Sequence, residues 1–185
     1  DFPERMMNKK NKQSASVGPM AGIKVLELGT LIAGPFCARM LAEFGADVIK
    51  IEAPGEGDPI RKWRVLKDGN SLWWYVQSRN KKSITLNMKD TRAQEIARRL
   101  ALDADIIVRL SGYGQSGPLR DAPGFGAIGE SMGGLRYVSG HPDRPPVRIG
   151  ISIGDSVASL HGAIGALMAL RHRDATGGRW NGKTG

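Results

Sequence analysis

GIKVLELGTLIAGPFCARMLAEFGADVIKIE, residues 22–52, decides the fold. Ile23 to Leu28 is an apolar run of strand length. Gly29 to Pro35 is a loop bounded by glycine. Phe36, Met40, Leu41 and Phe44 then recur at helical spacing, which predicts a helix over 36–44 with those four residues inward. Gly45 ends it, and Asp47 to Ile51 reads as a second strand. A strand, a helix and a strand within about thirty residues form a βαβ unit, the crossover that parallel strands require. Ligands of open parallel sheets bind at the carboxyl ends of the strands. That places Thr30, Leu31, Ile32 and Ala33, and separately Glu52, at a candidate site. The loop is no nucleotide fingerprint. No glycine stands two after Gly29, and Gly34 is followed by Pro35 and Phe36 rather than the Lys and Ser/Thr of a P-loop.

Toward the C-terminus the alternation continues. Trp73, Trp74 and Tyr75 form an aromatic cluster that reads as core or interface. Ser83 to Leu86 reads as a strand. Thr91 to Leu102 reads as an amphipathic helix with Ala93, Ile96, Ala97 and Leu100 inward, capped by Thr91 or Asp90. Asp105 to Leu110 and Leu135 to Ser139 read as further strands. Two glycine-dense stretches, Ser111 to Pro118 and Gly124 to Gly134, fit either close approach to a ligand or plain turns. The fold class is therefore α/β, a Rossmann-like parallel sheet with flanking helices. In the other direction, residues 1–20 are polar and without periodicity, and read as a disordered basic leader. The domain is expected over 21–178, with an unstructured tail over 179–185.

VRIGISIGDSVASLHGAIGALMALRHR, residues 147–173, changes character at Asp155. Val147 to Ile153 is β-like; from Ser156 to Arg173, Val157, Leu160, Ile164, Leu167 and Met168 recur at helical spacing. Asp155 is thus expected at or near the N-cap. There the helix dipole and free N–H groups would hold its carboxyl below the usual range. An ionised, partly exposed carboxylate is a competent nucleophile toward an activated acyl group; Asp is equally a favoured plain cap.

At 185 residues and 41% hydrophobic content, the chain is about one domain, or a large piece of a bigger protein. One cysteine, Cys37, excludes an internal disulfide framework and a cysteine-rich metal site, and no metal site is expected. No secretory signal is visible, and no apolar run approaches the roughly 20 residues of a membrane span. The expected location is the cytoplasm, with the mitochondrion as alternative. A net charge of +9 suggests an anionic partner. Its basic residues are scattered and carry no nucleic-acid motif, so no nucleic acid and no membrane are expected as partners.

Five stretches in order carry a resemblance: residues 22–58, RNKKSITLNMK at 79–89, RLSGYGQSGP at 109–118, GGLRYVSG at 133–140 and GISIGDS at 150–156. Over Gly22 to Gly178 the chain resembles the class III CoA-transferase family, the CaiB/BaiF type, formyl-CoA transferase-like. The resemblance implies transfer of CoA between an acyl-CoA and a small carboxylic or dicarboxylic acid, with Asp155 as nucleophile. It implies an aspartyl-acyl anhydride and then an aspartyl-CoA thioester. CoA contacts carry over to Ile32 and Ala33, to Leu86, Asn87, Met88 and Lys89, and to Pro123, Gly124, Phe125 and Gly126. No tightly bound cofactor is implied; coenzyme A enters as substrate. The family's form is an interlocked homodimer. A racemase branch places a His where Phe125 stands, and Phe shuttles no protons. Against the family pattern, some thirty residues after Val108 are absent and the chain is about half as long, so a non-catalytic CoA-binding fragment is a further alternative.

Overall fold

The computed structural model describes residues 17–178. Residues 1–16 of the expected leader and the tail over 179–185 lie outside the described residues. The leader's last residues belong to the fold instead. Met20 is in the core, and its N–H donates to Phe44 O at 2.9 Å.

Four parallel strands make the sheet: β1 (Lys24–Glu27), β2 (Asp47–Glu52), β5 (Lys81–Thr85) and β6 (Ile106–Val108), in the order β5-β2-β1-β6. Between β1 and β2 runs α1 (Ala33–Glu43); between β5 and β6 runs α3 (Thr91–Asp103). The chain steps outward from β1 to β2 to β5, then returns to the far side of β1. The topological switch point therefore falls between β1 and β6. A small antiparallel pair, β3 (Leu66–Lys67) and β4 (Asn70–Ser71), leads into α2 (Leu72–Gln77), which carries the aromatic cluster. The chain ends with α4 (Gly126–Met132) and α5 (Ile153–Thr176).

Strand residues alternate between two layers, as a period of two demands. Val25 and Val48 pack with Cys37, Ala38, Leu41 and Ala163 on the α1/α5 side. Leu26 and Ile51 pack with Ala97 and Leu100 on the α3 side. Asp90 caps α3, its Oδ1 accepting from Arg92 N at 2.7 Å.

The inward face predicted for α1 holds at Leu41, which is buried, and at Met40, which packs against the core, and fails at Phe44. On α1 the buried residues are Gly34, Pro35, Cys37, Ala38, Leu41 and Ala42, whereas Phe44 is exposed. Phe36 is half-buried under the Arg39 guanidinium, 4.6 Å from its ring centre. On α5 the buried residues are Ser159, Ala163 and Leu170, while Val157, Leu160, Ile164, Leu167 and Met168 are 42–68% exposed. The reason is the same in both. The two helices meet largely through small residues, which let their backbones approach, with Leu41 and Leu170 buried beside them and most of the other large side chains turned out. On α3, Ile96 is likewise exposed.

The helix bounds also move. α1 begins at Ala33 rather than Phe36, and α5 begins at Ile153 rather than Ser156. Residues 135–139 and 147–152 form turns and irregular chain, not strands. Tyr137, Val138, Val147 and Ile151 are more than half exposed. Strand propensity reports fit to a half-buried pleated surface, and no strand lies beside these residues among those described. The expectation of no long apolar segment is corrected too. α5, with 24 residues, is long and apolar enough to cross a membrane by length and composition. The core helices of many non-membrane proteins share that composition.

Candidate functional site

The α1-facing side of the sheet is apolar at Val25 and Val48 and charged one pleat further on, at Glu27, Lys50 and Glu52. Glu27 and Lys50 are direct cross-strand partners. Both are essentially fully buried. The Lys50 ammonium lies 2.7 Å from Glu27 Oε1, 2.7 Å from Gly29 O and 2.8 Å from Asp58 Oδ2, so three oxygens surround a group with three donors. The Lys81 ammonium donates to Glu27 Oε2 and to Pro35 O, each at 2.7 Å. Two acids and two ammonium groups close the cluster at neutrality, the condition under which buried charge is tolerable. Burial pulls the Lys81 ammonium below the usual lysine range, and Glu27 opposes it.

Glu52, read from sequence as a candidate site residue, is instead consumed by the scaffold. Its oxygens accept from Arg61 Nε at 2.7 Å, Arg61 Nη2 at 2.8 Å, Asp58 N at 2.8 Å and the Ser83 hydroxyl. Burial pushes its carboxyl up, but the Arg61, Ser83 and Asp58 contacts outweigh that and bring it down to about 2. Arg61 in turn stacks on Trp74, 3.5 Å from the ring centre, beside the Trp63–Trp73 pair.

All this charge holds one loop. Residues 29–35 are fixed by Lys50 on Gly29 O, by Asp58 Oδ1 accepting from Leu31 N at 3.0 Å, and by Lys81 on Pro35 O. Leu31 is held at φ 62°, a left-handed conformation that a leucine adopts only when its surroundings insist. On the next residues, Ile32 is buried at the N-cap of α1, and Ala33 O lies 2.7 Å from Ser159 Oγ of α5. The loop thus ends against α5, one turn beyond Asp155. On its other side it borders a cleft of about 460 Å³ between Thr30, Ala53, Pro54 and Gly57 at the ends of β1 and β2. Asp155 is not among the walls of that cleft.

Asp155 stands in the first turn of α5, three residues after the N-cap, Ser152. Its carboxylate caps no backbone amide, and the helix start has no side-chain cap. It is half-buried, and burial raises its carboxyl above the ordinary value; Glu130 adds to the rise and Arg148 opposes it. That corrects the expected lowering. The helix end favours the charged form, but desolvation and the second acid outweigh it. Glu130, on α4, is buried, and Arg148 Nε lies 3.5 Å from its Oε1. A Cβ placed on Gly126 would meet Asp155 Oδ2 at 3.3 Å and Arg148 Nη2 at 4.0 Å. The two charged groups therefore converge on the bare face of Gly126.

The expected contacts fall into two groups. Gly126 lies against Asp155 in the first turn of α5, and Ala33, with Ile32 beside it in sequence, is bonded to Ser159 one turn on. Gly124, two residues before Gly126, packs its Cα directly on Gly112; a Cβ on Gly112 would come within 2.4 Å of it. Pro123 and Phe125 are exposed on the same approach, Phe125 as the N-cap of α4 with no ionisable group. Leu86, Asn87, Met88 and Lys89 are apart from these, at the carboxyl end of β5. Leu86 N donates to Glu52 O, and Asn87, Met88 and Lys89 form the exposed turn before α3. Sequence reasoning missed Lys50, Asp58, Arg61, Ser159, Glu130 and Arg148. For Lys50 a signal existed: the opposite charge of Glu27 at the same pleat of the adjacent apolar strand. Among the described residues no cluster of three or more His, Cys, Asp or Glu is placed to hold a metal ion.

Known proteins are similar to this chain in sequence and fold. A profile described as CoA-transferase family III matches residues 20–109 and 106–179. Succinyl-CoA–D-citramalate CoA-transferase of Chloroflexus aurantiacus is 47% identical over 188 residues, covering 86% of this chain and 47% of that protein. Succinyl-CoA:glutarate CoA-transferase of Mus musculus is 34% identical, covering 88% of this chain and 44% of that protein. Among solved structures, a CAIB/BAIF family protein from Brucella suis superposes with a TM-score of 0.78 at 30% identity, covering 86% of this chain and 51% of that one. The chain spans about half the length of the curated relatives it matches. With its sheet, its pinned first loop and its profile match over most of the sequence, this chain belongs to CoA-transferase family III.

Proposed function

We propose that the protein moves CoA between an acyl-CoA and a small carboxylic or dicarboxylic acid, with Asp155 as the nucleophile. The observation that carries this is the placement of Asp155. It is a half-buried carboxylate that caps nothing, on a helix turn locked to the Ile32–Ala33 loop through Ser159. A carboxylate whose pKa is raised by burial is more basic, hence more nucleophilic. Its oxygen attacks the thioester carbonyl; the C–S bond breaks, and CoA leaves as thiolate with the electron pair. The thiolate then attacks the Asp155 carbonyl carbon, releasing the first acid and leaving an aspartyl-CoA thioester. One difficult exchange becomes a series of acyl transfers, none of which moves a proton.

The relatives named above support CoA transfer, and their acids are dicarboxylates by name. Ile32, Ala33, Pro123, Gly124, Phe125 and Gly126 would line the pantetheine approach, and Leu86 to Lys89 the nucleotide end, where Lys89 is exposed to meet phosphate. An isomerase that exchanges an α-proton would need a base where Phe125 stands. The alignment with the Chloroflexus protein runs over 188 positions, whereas 86% of 185 is about 159 residues. About 29 positions thus face no residue here, which supports a missing segment beyond β6. The exposed apolar face of α5 suits burial in a homodimer.

The test is exchange of labelled CoA between succinate and its CoA ester, using the protein expressed from its native reading frame. Asp155→Asn should abolish exchange, and hydroxylamine should trap an acyl group on Asp155 of the wild type only. Unaltered exchange in the variant rejects the assignment. CoA affinity in calorimetry with no trapped acyl group selects a non-catalytic CoA-binding protein.

A further inference from the structure

We propose that Arg148 is the binding residue for the reacting carboxylate of the acid substrate, held in place by Glu130. The inference rests on the CoA-transfer reading. Three observations carry it. First, Arg148 lies in irregular chain and is about half exposed, yet its guanidinium is tethered to a carboxylate that is almost wholly buried. Glu130 Oε2 has no hydrogen-bond partner among the described residues, and Arg136 reaches it only at 3.9 Å. Arg148 is therefore its nearest partner, and an exposed arginine is anchored from behind. Second, the Nη2 end points to the face of Gly126 where Asp155 Oδ2 also points. Third, that face has no Cβ, and a methyl placed there would touch both the carboxylate and the guanidinium.

Charge conservation says what such a cation does. In the resting state the mobile negative charge is on Asp155. In the aspartyl-CoA thioester Asp155 is neutral, and Arg148 faces an empty position. The acceptor carboxylate brings the charge back. Its oxygen attacks the Asp155 carbonyl carbon, a C–O bond forms, the C–S bond breaks, and CoA leaves as thiolate. The thiolate attacks the acceptor's carbonyl carbon, and the bond to Asp155 breaks with its electron pair, restoring the carboxylate. From the entry of the acceptor to the release of its CoA ester one negative charge is present and only changes position. A planar guanidinium, always charged and forked, suits a carboxylate in each of these positions. Glu130 keeps it from collapsing onto Asp155 as a closed ion pair.

The experiment uses the natively expressed protein with succinyl-CoA as donor and a panel of mono- and dicarboxylate acceptors. Arg148→Gln should raise the acceptor KM roughly 10- to 100-fold, the worth of a charged hydrogen bond. Acylation of Asp155 by the donor, read by hydroxylamine trapping, should change much less. Arg148→Lys should restore part of the acceptor affinity, which a merely structural role would not do. Glu130→Gln should resemble Arg148→Gln more weakly. An active wild type whose Arg148→Gln variant keeps the acceptor KM overturns this inference and leaves the functional reading intact. A wild type that transfers no CoA between any pair overturns both.

Discussion

Glu52→Gln tests whether the first loop is held by charge. The substitution keeps the shape of the side chain and removes its ionisation. In the folded protein the Glu52 carboxyl is brought from an ordinary 4.5 down to about 2. Each unit is worth about 1.4 kcal/mol, so the ionised form contributes about 3 kcal/mol. The side chain is almost wholly buried, so solvent screens little of this. A carboxyl lowered by folding stabilises above its unfolded pKa, and the contribution is lost as pH falls through the folded one. The window therefore runs from about pH 5 down to about 2. Glutamine approximates protonated glutamate. The stability gap between wild type and variant should be about 3 kcal/mol at pH 7 and under half of that by pH 3. Urea unfolding followed by tryptophan fluorescence measures it, and Trp74 stacked on Arg61 makes the signal local. A gap that is absent at pH 7, or constant from pH 7 to pH 3, would refute the reasoning. At temperatures where both are folded, hydroxylamine should trap the acyl group on Asp155 in each.

Asp155→Asn should behave oppositely in stability. Folding raises its carboxyl, so its contribution is present below the ordinary 3.8 and lost as pH rises through the folded value. Near neutrality the variant should therefore melt at or above the wild-type temperature while losing exchange; a capping role would instead cost about 0.5–2 kcal/mol. Gly126→Ala fills the space between Asp155 and Arg148 and should cost roughly tenfold or more in kcat/KM with little change in melting temperature, read by the exchange assay and thermal unfolding. Cys37 is buried, and desolvation pushes its thiol up to about 11. A thiol reagent at pH 8 should label it only at the rate of unfolding, so rapid labelling of folded protein would show that the α1/α5 packing opens.

The βαβ order was legible because strand alternation and glycine punctuation are local. The face of α3 was legible too, through Ala93, Ala97 and Leu100, whereas that of α1 was legible only in part. Phe36, Met40 and Phe44 have the right spacing for a buried stripe, as do Leu160, Ile164 and Leu167. α1 instead buries Leu41 together with Cys37, Ala38 and Ala42, and α5 buries Ser159, Ala163 and Leu170. Spacing marks every apolar face a helix has. Which of them is buried depends on how closely the neighbour must approach, and small residues win where backbones pack closely. The stretch 135–139 failed for a related reason. Its β-branched and aromatic residues favour a sheet, but a strand also needs an edge to join.

The site divides along the same line. The charged pleat was present in VLELG and VIKIE, since Glu27, Lys50 and Glu52 share the parity of Val25 and Val48. Once the strands are parallel and in the observed register, an acid and a base must meet under the N-terminus of α1. Nothing comparable announced Arg148 and Glu130. They lie 18 positions apart in turn-rich sequence without period, and only the docking of α4 on α5 brings them to Asp155. The misjudged direction of the Asp155 pKa follows from that gap. A helix end offers a carboxylate a modest, solvent-screened attraction, whereas burial beside a second acid acts at short range in a poorly screened place. Local logic put Asp155 within three residues of its true helix position. Its ionisation is set by residues that only the fold supplies.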